Sequence, residues 1–251
     1  QIDPNANLDK GLQALASLIQ APGSERGAIL ISQILLAPLA HLANWRNERC
    51  GVFAKDRTGT FKTTTCQHGM AIYGAGFLQD DNLVRWGEGG TRNAIMQQAA
   101  AAHDMPFLID NYKPGTGDGA RGFINMAHTI MEGGEKDRLN RSSELRESKP
   151  IFCWPIFTGE DIPDTDPASL ARLLVVQFDS NGAVENSHLN NSQAYAQHLS
   201  ALGGTWLDWL ESEEGRTQAK LAGEALPHRR DGWARWLRRM APNMVNTHRI
   251  A

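Results

Sequence analysis

Four short apolar runs, separated by longer segments of helical composition, constrain the fold of this chain more than any other feature. They cover residues 50–54, 105–110, 151–157 and 173–178. Each run is continuously apolar rather than alternating, which is typical of strands that are buried on both faces. Strands of this kind that alternate with helices predict an α/β fold, with a parallel sheet covered by helices on both sides.

Helices are predicted at both ends of the chain. Residues 8–20 repeat apolar side chains every three or four positions, as an amphipathic helix does. A second, apolar helix is predicted from residue 28, with a break near Pro38, because proline lacks the N–H group that a helix interior needs. After residue 180 the pattern changes to a polar linker and helices. We therefore expect a helical lead-in over residues 1–45, a core over 46–180 and a helical lobe over 181–251.

Composition excludes several classes of protein. The 251 residues are 41% hydrophobic and 21% charged with a net charge of −3, which excludes a disordered chain, a coiled coil and a globally basic nucleic-acid coat. Three widely spaced cysteines argue against a disulfide framework and favour the reducing cytoplasm. The uncharged stretch 28–45 contains polar residues and a proline, so we expect a buried helix and no membrane partner. The chain opens on Gln1 without a secretory leader, and we expect a piece of a longer polypeptide.

A candidate phosphate-binding loop follows the first strand. Such a loop needs small residues whose N–H groups surround phosphate oxygens, a lysine for the outer phosphates and a hydroxyl for Mg²⁺. Gly59, Lys62 and Thr63 meet these needs, although Asp56 and Phe61 stand where glycines are usual. The segment predicted to bind the phosphates runs from loop to helix and comprises Thr58, Gly59, Thr60, Phe61, Lys62, Thr63 and Thr64.

A second constellation lies at the tip of the next long strand. A sheet of this kind needs an acidic residue there to hold Mg²⁺, and Asp110 has that position. The alternative is a carboxylate that caps the following turn. The next residue is Asn111, whose amide can orient water but cannot accept a proton. Hydrolysis by this site is therefore expected to be slow or to depend on another group.

The third strand ends in the polar tip FTGED. If this strand lies beside the loop strand, Thr158 can hydrogen-bond a γ-phosphate and Glu160 can act as a base in place of the missing carboxylate. Alternatively, these residues cap a turn before Pro163. The residues alone leave both interpretations open.

Taken together, the motifs resemble a known family. The order TGTFKT, Trp86, IDNYKP, DRLNRSSELRESKP, FTGEDIP and SLARLL over about residues 45–180 is similar to the helicase-like ATPase domain of primase–helicase proteins from plasmids, phages and integrative elements. The resemblance implies a RecA-type or AAA+ P-loop NTPase that binds ATP and Mg²⁺. It also implies a role in DNA replication, with a hexameric ring as the assembly, single-stranded DNA as the track and primase or other replication proteins as partners.

The resemblance also implies residue roles. Lys62 and Thr63 would bind phosphate and Mg²⁺, Asp110 would be the acid beside the metal, and Thr158 would sense the γ-phosphate. An arginine from a neighbouring subunit would complete the site, and Arg172 and Arg138 are the candidates. The alternative for either arginine is an ion pair with a nearby carboxylate.

Contacts with DNA are predicted at Lys113 with the glycine-rich loop 115–119, and at the basic helix 229–239. Two other functions stay open. One is a nucleotide-binding scaffold for DNA loading or assembly that hydrolyses little ATP, which Asp56 and Asn111 favour. The other is a phosphotransferase acting on a small substrate, since kinases share the strand–loop–helix site.

Overall fold

The computed structural model describes residues 3, 5–45, 49–87, 91–116, 118–134, 150–164, 170, 172–178 and 186–240, with side chains described as far as residue 232. Arg138, one of the two candidate arginines, lies outside these residues.

A five-stranded sheet forms the centre of the molecule. Its strands are β1 (Gly51–Lys55), β2 (Val84–Arg85), β3 (Pro106–Tyr112), β4 (Trp154–Gly159) and β5 (Leu173–Gln177). They lie in the order β2-β3-β4-β1-β5, and every pairing between them is parallel. The predicted α/β fold with a parallel sheet is therefore confirmed. The short edge strand β2 was not predicted, because two residues are too few to show the apolar pattern of a strand.

The carboxyl ends of three central strands meet at one edge. The strand β4 lies between β1 and β3, so its last residues are beside both the loop after β1 and the end of β3. The strand β3 runs two residues past Asp110, and its pairing with β4 shifts register between Ile109 and Tyr112. Tyr112 is buried against Phe123, which extends the strand beyond its predicted end.

Helices cover both faces of the sheet. They are α1 (Leu8–Gln20), α2 (Ser24–Leu42), α3 (Lys62–Met70), α4 (Arg92–Ala102), α5 (Gly119–Glu132), α6 (Asn186–Ala194), α7 (Leu199–Glu211) and α8 (Glu213–Met240). In the part of the chain that the structure describes, no helix combines the length and apolar character needed to cross a bilayer.

Alternate residues of the strands face opposite layers of the core. On one side, Val52 and Ile156 pack in a cluster that includes side chains of α1, α2, α3, α6 and α7. On the other side, Phe53 and Phe157 pack with side chains of α4 and α5. Helices of the N-terminal and C-terminal parts thus share one face of the sheet. Because helices cover the other face as well, each strand is apolar at consecutive positions.

The predicted break near Pro38 is wrong, because α2 continues through the proline to Leu42. A proline cannot donate to the carbonyl four residues earlier, here that of Ile34. The Tyr73 hydroxyl donates to this carbonyl oxygen instead, at 3.1 Å. Burial raises the pKa of Tyr73 above its usual range, so the hydroxyl keeps its proton at neutral pH.

Replacing Tyr73 with phenylalanine is expected to lower the free energy of unfolding by about 1–2 kcal/mol, because the buried Ile34 carbonyl loses its donor. In a Pro38→Ala background, the new N–H group can bond that carbonyl, and the same substitution should cost clearly less. Urea unfolding of the double-mutant cycle measures the difference. Equal costs in both backgrounds would contradict this account of the unbroken helix.

Candidate functional site

The loop 56–61 connects the carboxyl end of β1 to the first residue of α3. Two of its residues adopt left-handed backbone conformations, Gly59 with φ 87° and Phe61 with φ 57°. These turns bring the chain around in a tight curve directly before the helix. The N-terminus of α3 therefore points its free N–H groups and the positive end of its dipole at the enclosed space, where an anion is favoured.

Phe61 precedes Lys62 and has a conformation that costs a non-glycine residue about 1–2 kcal/mol. Its side chain is 43% exposed, so packing does little to offset this cost. We expect Phe61→Gly to have a higher free energy of unfolding than Phe61→Ala, by about 1 kcal/mol, the reverse of the usual order. Denaturant unfolding of both variants tests this. An alanine variant as stable as the glycine variant would show that the backbone at this position is not left-handed.

Lys62 is buried at the centre of the loop. Its Nζ donates to the carbonyl oxygens of Asp56 at 2.7 Å and Arg57 at 2.8 Å, and to Thr60 Oγ1 at 3.2 Å. Burial lowers the pKa of Lys62, and the nearby carboxylates of Asp56, Glu160 and Asp110 act in the opposite direction. The loop itself therefore holds the ammonium group, and Lys62 lines the space before α3.

Asp110 lies beside the first turn of α3. Its Oδ1 accepts a hydrogen bond from Thr63 Oγ1 at 2.5 Å and another from the Thr158 hydroxyl. Thr158 Oγ1 also accepts from the backbone N–H of Asn111, at 3.1 Å. Asp110 and Thr158 are 7% and 1% exposed, so this network is fixed in the sheet. The network joins the helix after β1 to the ends of β3 and β4.

The oxygen atoms of Thr63 and Asp110 fit a Mg²⁺ ion. The Thr63 hydroxyl and the Asp110 carboxylate offer two hard oxygen ligands side by side, and Mg²⁺ commonly takes one or two protein oxygens and fills its other positions with water and substrate phosphates. The described residues contain no group of three or more His, Cys, Asp or Glu side chains that would form a metal cage. A site of this kind therefore suits an ion that arrives with a phosphate ligand.

Glu160 lies on the other side of the loop. Its Oε1 accepts from the Thr58 hydroxyl and is 3.7 Å from Lys113 Nζ. The hydrogen bond from Thr58 lowers the pKa of Glu160, with smaller contributions from Lys113 and Lys62. A lowered pKa keeps the carboxylate ionised and makes it a weaker base. Thr158 lies inside β4 rather than in a turn, so it does not cap one.

Together these residues enclose a pocket of about 240 Å³. Most of the predicted site residues line it, namely Thr58, Gly59, Phe61, Lys62, Thr63, Thr64, Asp110, Asn111, Thr158 and Glu160. Thr60 does not line the pocket, since its hydroxyl donates to the Arg57 carbonyl of the loop at 2.9 Å. The contact of Thr58 with Glu160 could not be predicted from the sequence, because about a hundred residues lie between them.

Arg172 lies at the opposite edge of the sheet. It directly precedes β5, its carbonyl accepts from the Gly51 N–H, and its guanidinium pairs with Glu132 at 2.5 Å. The structure therefore separates Arg172 from the pocket of its own chain and shows the ion pair named above as the alternative. Its action on a neighbouring chain stays a prediction.

Two features of the site were missed by sequence reasoning. The first is the burial of Asp56, which is 5% exposed. Its Oδ1 accepts from the Arg57 N–H at 2.7 Å, and Oδ2 has no hydrogen-bond partner among the described residues. The second is Gly159, where a Cβ would lie 2.8 Å from Phe53 and 2.9 Å from the Tyr112 carbonyl oxygen. Only a glycine lets the three central strands meet so closely at the pocket.

Comparison with solved structures shows the fold. The structure of SCCmec type IV Cch, an active helicase, superposes with a TM-score of 0.61 at 13% identity, covering 98% of this chain and 44% of that one. JCV helicase has a TM-score of 0.48 at 12% identity, over 87% of this chain and 61% of that chain. The apo C-terminal region of NrS-1 has a TM-score of 0.40 at 13% identity, over 98% and 62%.

The chain has an α/β fold with a five-stranded parallel sheet between helices, and it shares this fold with the SCCmec type IV Cch helicase. It spans less than half the length of that helicase. No protein-family model and no curated protein matches the sequence.

Proposed function

We propose that this chain binds Mg-ATP in the pocket at Lys62 and hydrolyses it as a subunit of an ATP-driven DNA helicase or translocase. The observation that carries the proposal is the contact of Thr63 Oγ1 with Asp110 Oδ1 beside the Lys62 ammonium group. A lysine, a hydroxyl and a carboxylate at the N-terminus of a helix are the groups that a nucleoside triphosphate with its metal requires.

Each residue of the pocket has a part in this mechanism. Lys62 and the N–H groups at the start of α3 bind the outer phosphates. Thr63 and Asp110 would hold Mg²⁺, and the ion would supply positive charge beside the phosphate oxygens. Thr158 donates to Asp110 and so fixes the orientation of the carboxylate. It stands at the tip of β4, where its hydroxyl can also respond to the γ-phosphate. Asn111 and Glu160 are left to orient the attacking water.

The finer parts of the proposal come from the family resemblance. We place the chain with the ATPase domains of primase–helicase proteins of mobile elements, which work in DNA replication. The active form is a ring, hexameric by resemblance, in which Arg172 or Arg138 of one subunit approaches the ATP of the next. Single-stranded DNA would run along Lys113 and the basic helix 229–239. Residues 46–180 form the motor core, with residues 1–45 and 181–251 as helical additions.

Steady-state ATP hydrolysis, measured with and without single-stranded DNA on a sample of known mass, tests this function. We expect an oligomer whose turnover rises when DNA is added and disappears in Lys62→Ala. A monomer whose turnover ignores DNA but depends on a small acceptor would overturn the motor and favour the phosphotransferase.

A nucleotide-binding scaffold is the second candidate, and Asn111 favours it. The residue after Asp110 has no carboxylate, and the lowered pKa of Glu160 weakens its substitute. Tight Mg-ATP binding without turnover, in any combination of DNA and protein concentration, would select the scaffold. Turnover gained by Asn111→Asp would then identify the missing proton acceptor as the cause.

A further inference from the structure

The lining of the pocket at Lys62 carries more negative than positive charge. Among the residues that line it, Lys62 is the cation, whereas Asp110 and Glu160 each carry a carboxylate. A bound Mg²⁺ ion would offset the charge of Asp110, but the terminal phosphate would still meet the carboxylate of Glu160, and like charges at short range repel each other. A site for the outer phosphates therefore needs a further positive charge beside Glu160.

Lys113 supplies a positive charge at this position. Its Nζ is 3.7 Å from Oε1 of Glu160, the same oxygen that accepts from the Thr58 hydroxyl of the candidate phosphate-binding loop. One carboxylate oxygen thus separates the ammonium group of Lys113 from the loop. Because the lysine stem is long and flexible, a small change of its conformation can bring the ammonium group to an anion held by the loop.

The backbone of Lys113 is held beside the pocket by a turn. Lys113 directly follows Tyr112, whose carbonyl accepts from the Glu160 N–H group at 3.4 Å. The Lys113 carbonyl accepts from the Thr116 N–H group at 3.2 Å and from the Thr116 hydroxyl at 2.8 Å. The Thr116 carbonyl in turn accepts from Nε1 of the buried Trp86 at 3.2 Å. The side chain of Lys113 therefore starts from a fixed point next to Glu160.

The ion pair between Lys113 and Glu160 is weak enough to be exchanged. Its two charged atoms are farther apart than in a hydrogen bond, and the side chains are 43% and 39% exposed. Exposed ion pairs of this kind contribute little to stability. A phosphate oxygen would offer Lys113 a charge-assisted hydrogen bond, which is stronger. The ammonium group should therefore leave Glu160 when a triphosphate is bound.

We propose that Lys113 is a phosphate-contact residue, whose ammonium group binds the γ-phosphate of a nucleoside triphosphate and makes the site prefer a triphosphate to a diphosphate. The inference rests on the proposed function, since it needs a nucleotide in the pocket at Lys62. Glu160 holds the ammonium group beside the loop until the γ-phosphate replaces the carboxylate as its partner. This cation belongs to the same chain, whereas Arg172 would have to come from a neighbouring subunit.

Equilibrium binding of AMP-PNP and ADP to the full chain, with Mg²⁺ and without DNA, tests this assignment. AMP-PNP is an ATP analogue that resists hydrolysis, so the result does not depend on turnover. Lys113→Ala should weaken AMP-PNP binding about tenfold, the effect of losing one charge-assisted hydrogen bond, and should leave ADP binding unchanged. Lys113→Arg keeps the charge and should restore most of the affinity for AMP-PNP.

Two further variants control this result. Lys55 pairs at 3.9 Å with Asp161, the residue after Glu160, and it does not line the pocket. Lys55→Ala should therefore leave both affinities unchanged. Lys113→Ala in a Glu160→Gln background separates a direct contact with the nucleotide from an effect transmitted by the carboxylate. A direct contact predicts the same tenfold loss in that background.

The proposal is overturned if Lys113→Ala weakens AMP-PNP and ADP equally, if it weakens neither, or if the loss disappears in the Glu160→Gln background. A Lys113→Ala variant that loses only affinity for single-stranded DNA would also overturn it and assign the residue to the DNA track alone. In these cases, AMP-PNP binding that is lost in Lys62→Ala would still support the proposed function. Absence of AMP-PNP binding to the unchanged protein, or binding that survives Lys62→Ala, would overturn the proposed function together with this inference.

Discussion

Replacement of Lys62 by alanine is expected to reduce ATP hydrolysis by at least about a hundredfold, the effect of removing a group that stabilises transition-state charge in a closed site. The ammonium group is buried and held by the carbonyls of Asp56 and Arg57, so the loop fixes its position in the site. Affinity for ATP should fall as well, because the same group binds the outer phosphates in the ground state. Steady-state hydrolysis and equilibrium binding measure the two effects.

A neighbouring lysine provides the control. Lys55 is the last residue of β1, and it pairs loosely with Asp161 at 3.9 Å outside the pocket. Lys55→Ala should retain turnover and affinity close to those of the unchanged protein. Because the Lys62 ammonium group also bonds the loop, thermal unfolding of Lys62→Ala must show a folded protein. Full activity of a folded Lys62→Ala would contradict the assignment of the loop.

Asp110→Asn should abolish the dependence of nucleotide binding on Mg²⁺ and lower turnover by about a hundredfold or more. The reason is that the amide has no negative charge with which to hold the ion. The amide has the same shape and still accepts through its oxygen, so Thr63 and Thr158 keep an acceptor. The effect should therefore fall on the metal rather than on the fold. Binding of ATP at a series of Mg²⁺ concentrations separates the two.

The exposed carboxylate of Asp161 is a matched control at the same edge of the sheet. Asp161→Asn should leave both the Mg²⁺ dependence and the turnover unchanged. If Asp110→Asn binds Mg-ATP with the same Mg²⁺ dependence as the unchanged protein, the ion is not held by this carboxylate. The alternative interpretation, a strand-end carboxylate that orders its surroundings, would then be correct.

Much of the sheet could be predicted because its signal is local. Continuous apolar runs, such as that around Phe53 and Ile156, reflect burial on both faces, and they locate four strands of the sheet. The loop before Lys62 carries its own chemistry in consecutive residues. The end of β3 was misplaced because Tyr112 is held by packing against Phe123, a contact between distant residues. Pro38 was misjudged for the same reason, since Tyr73 supplies the missing donor.

The candidate site could be predicted in its residue types but not in its connections. The sequence indicates Lys62, Thr63 and Asp110 separately, and only the sheet order brings Thr158 to Asp110. The contact of Thr58 with Glu160 is also a result of this order, because β4 lies beside β1. Burial of Asp56 carries no sequence signal, since an aspartate in a polar loop is normally exposed.

Equilibrium binding of a fluorescent ATP analogue, competed in turn by ATP and AMP, tests the central claim most directly. The pocket at Lys62 recognises the outer phosphates together with Mg²⁺, so binding should require Mg²⁺. ATP should displace the analogue at least about a hundredfold more effectively than AMP, a difference that two charge-assisted contacts to the outer phosphates would supply. Equal competition by AMP, or binding that Mg²⁺ does not affect, would contradict the account.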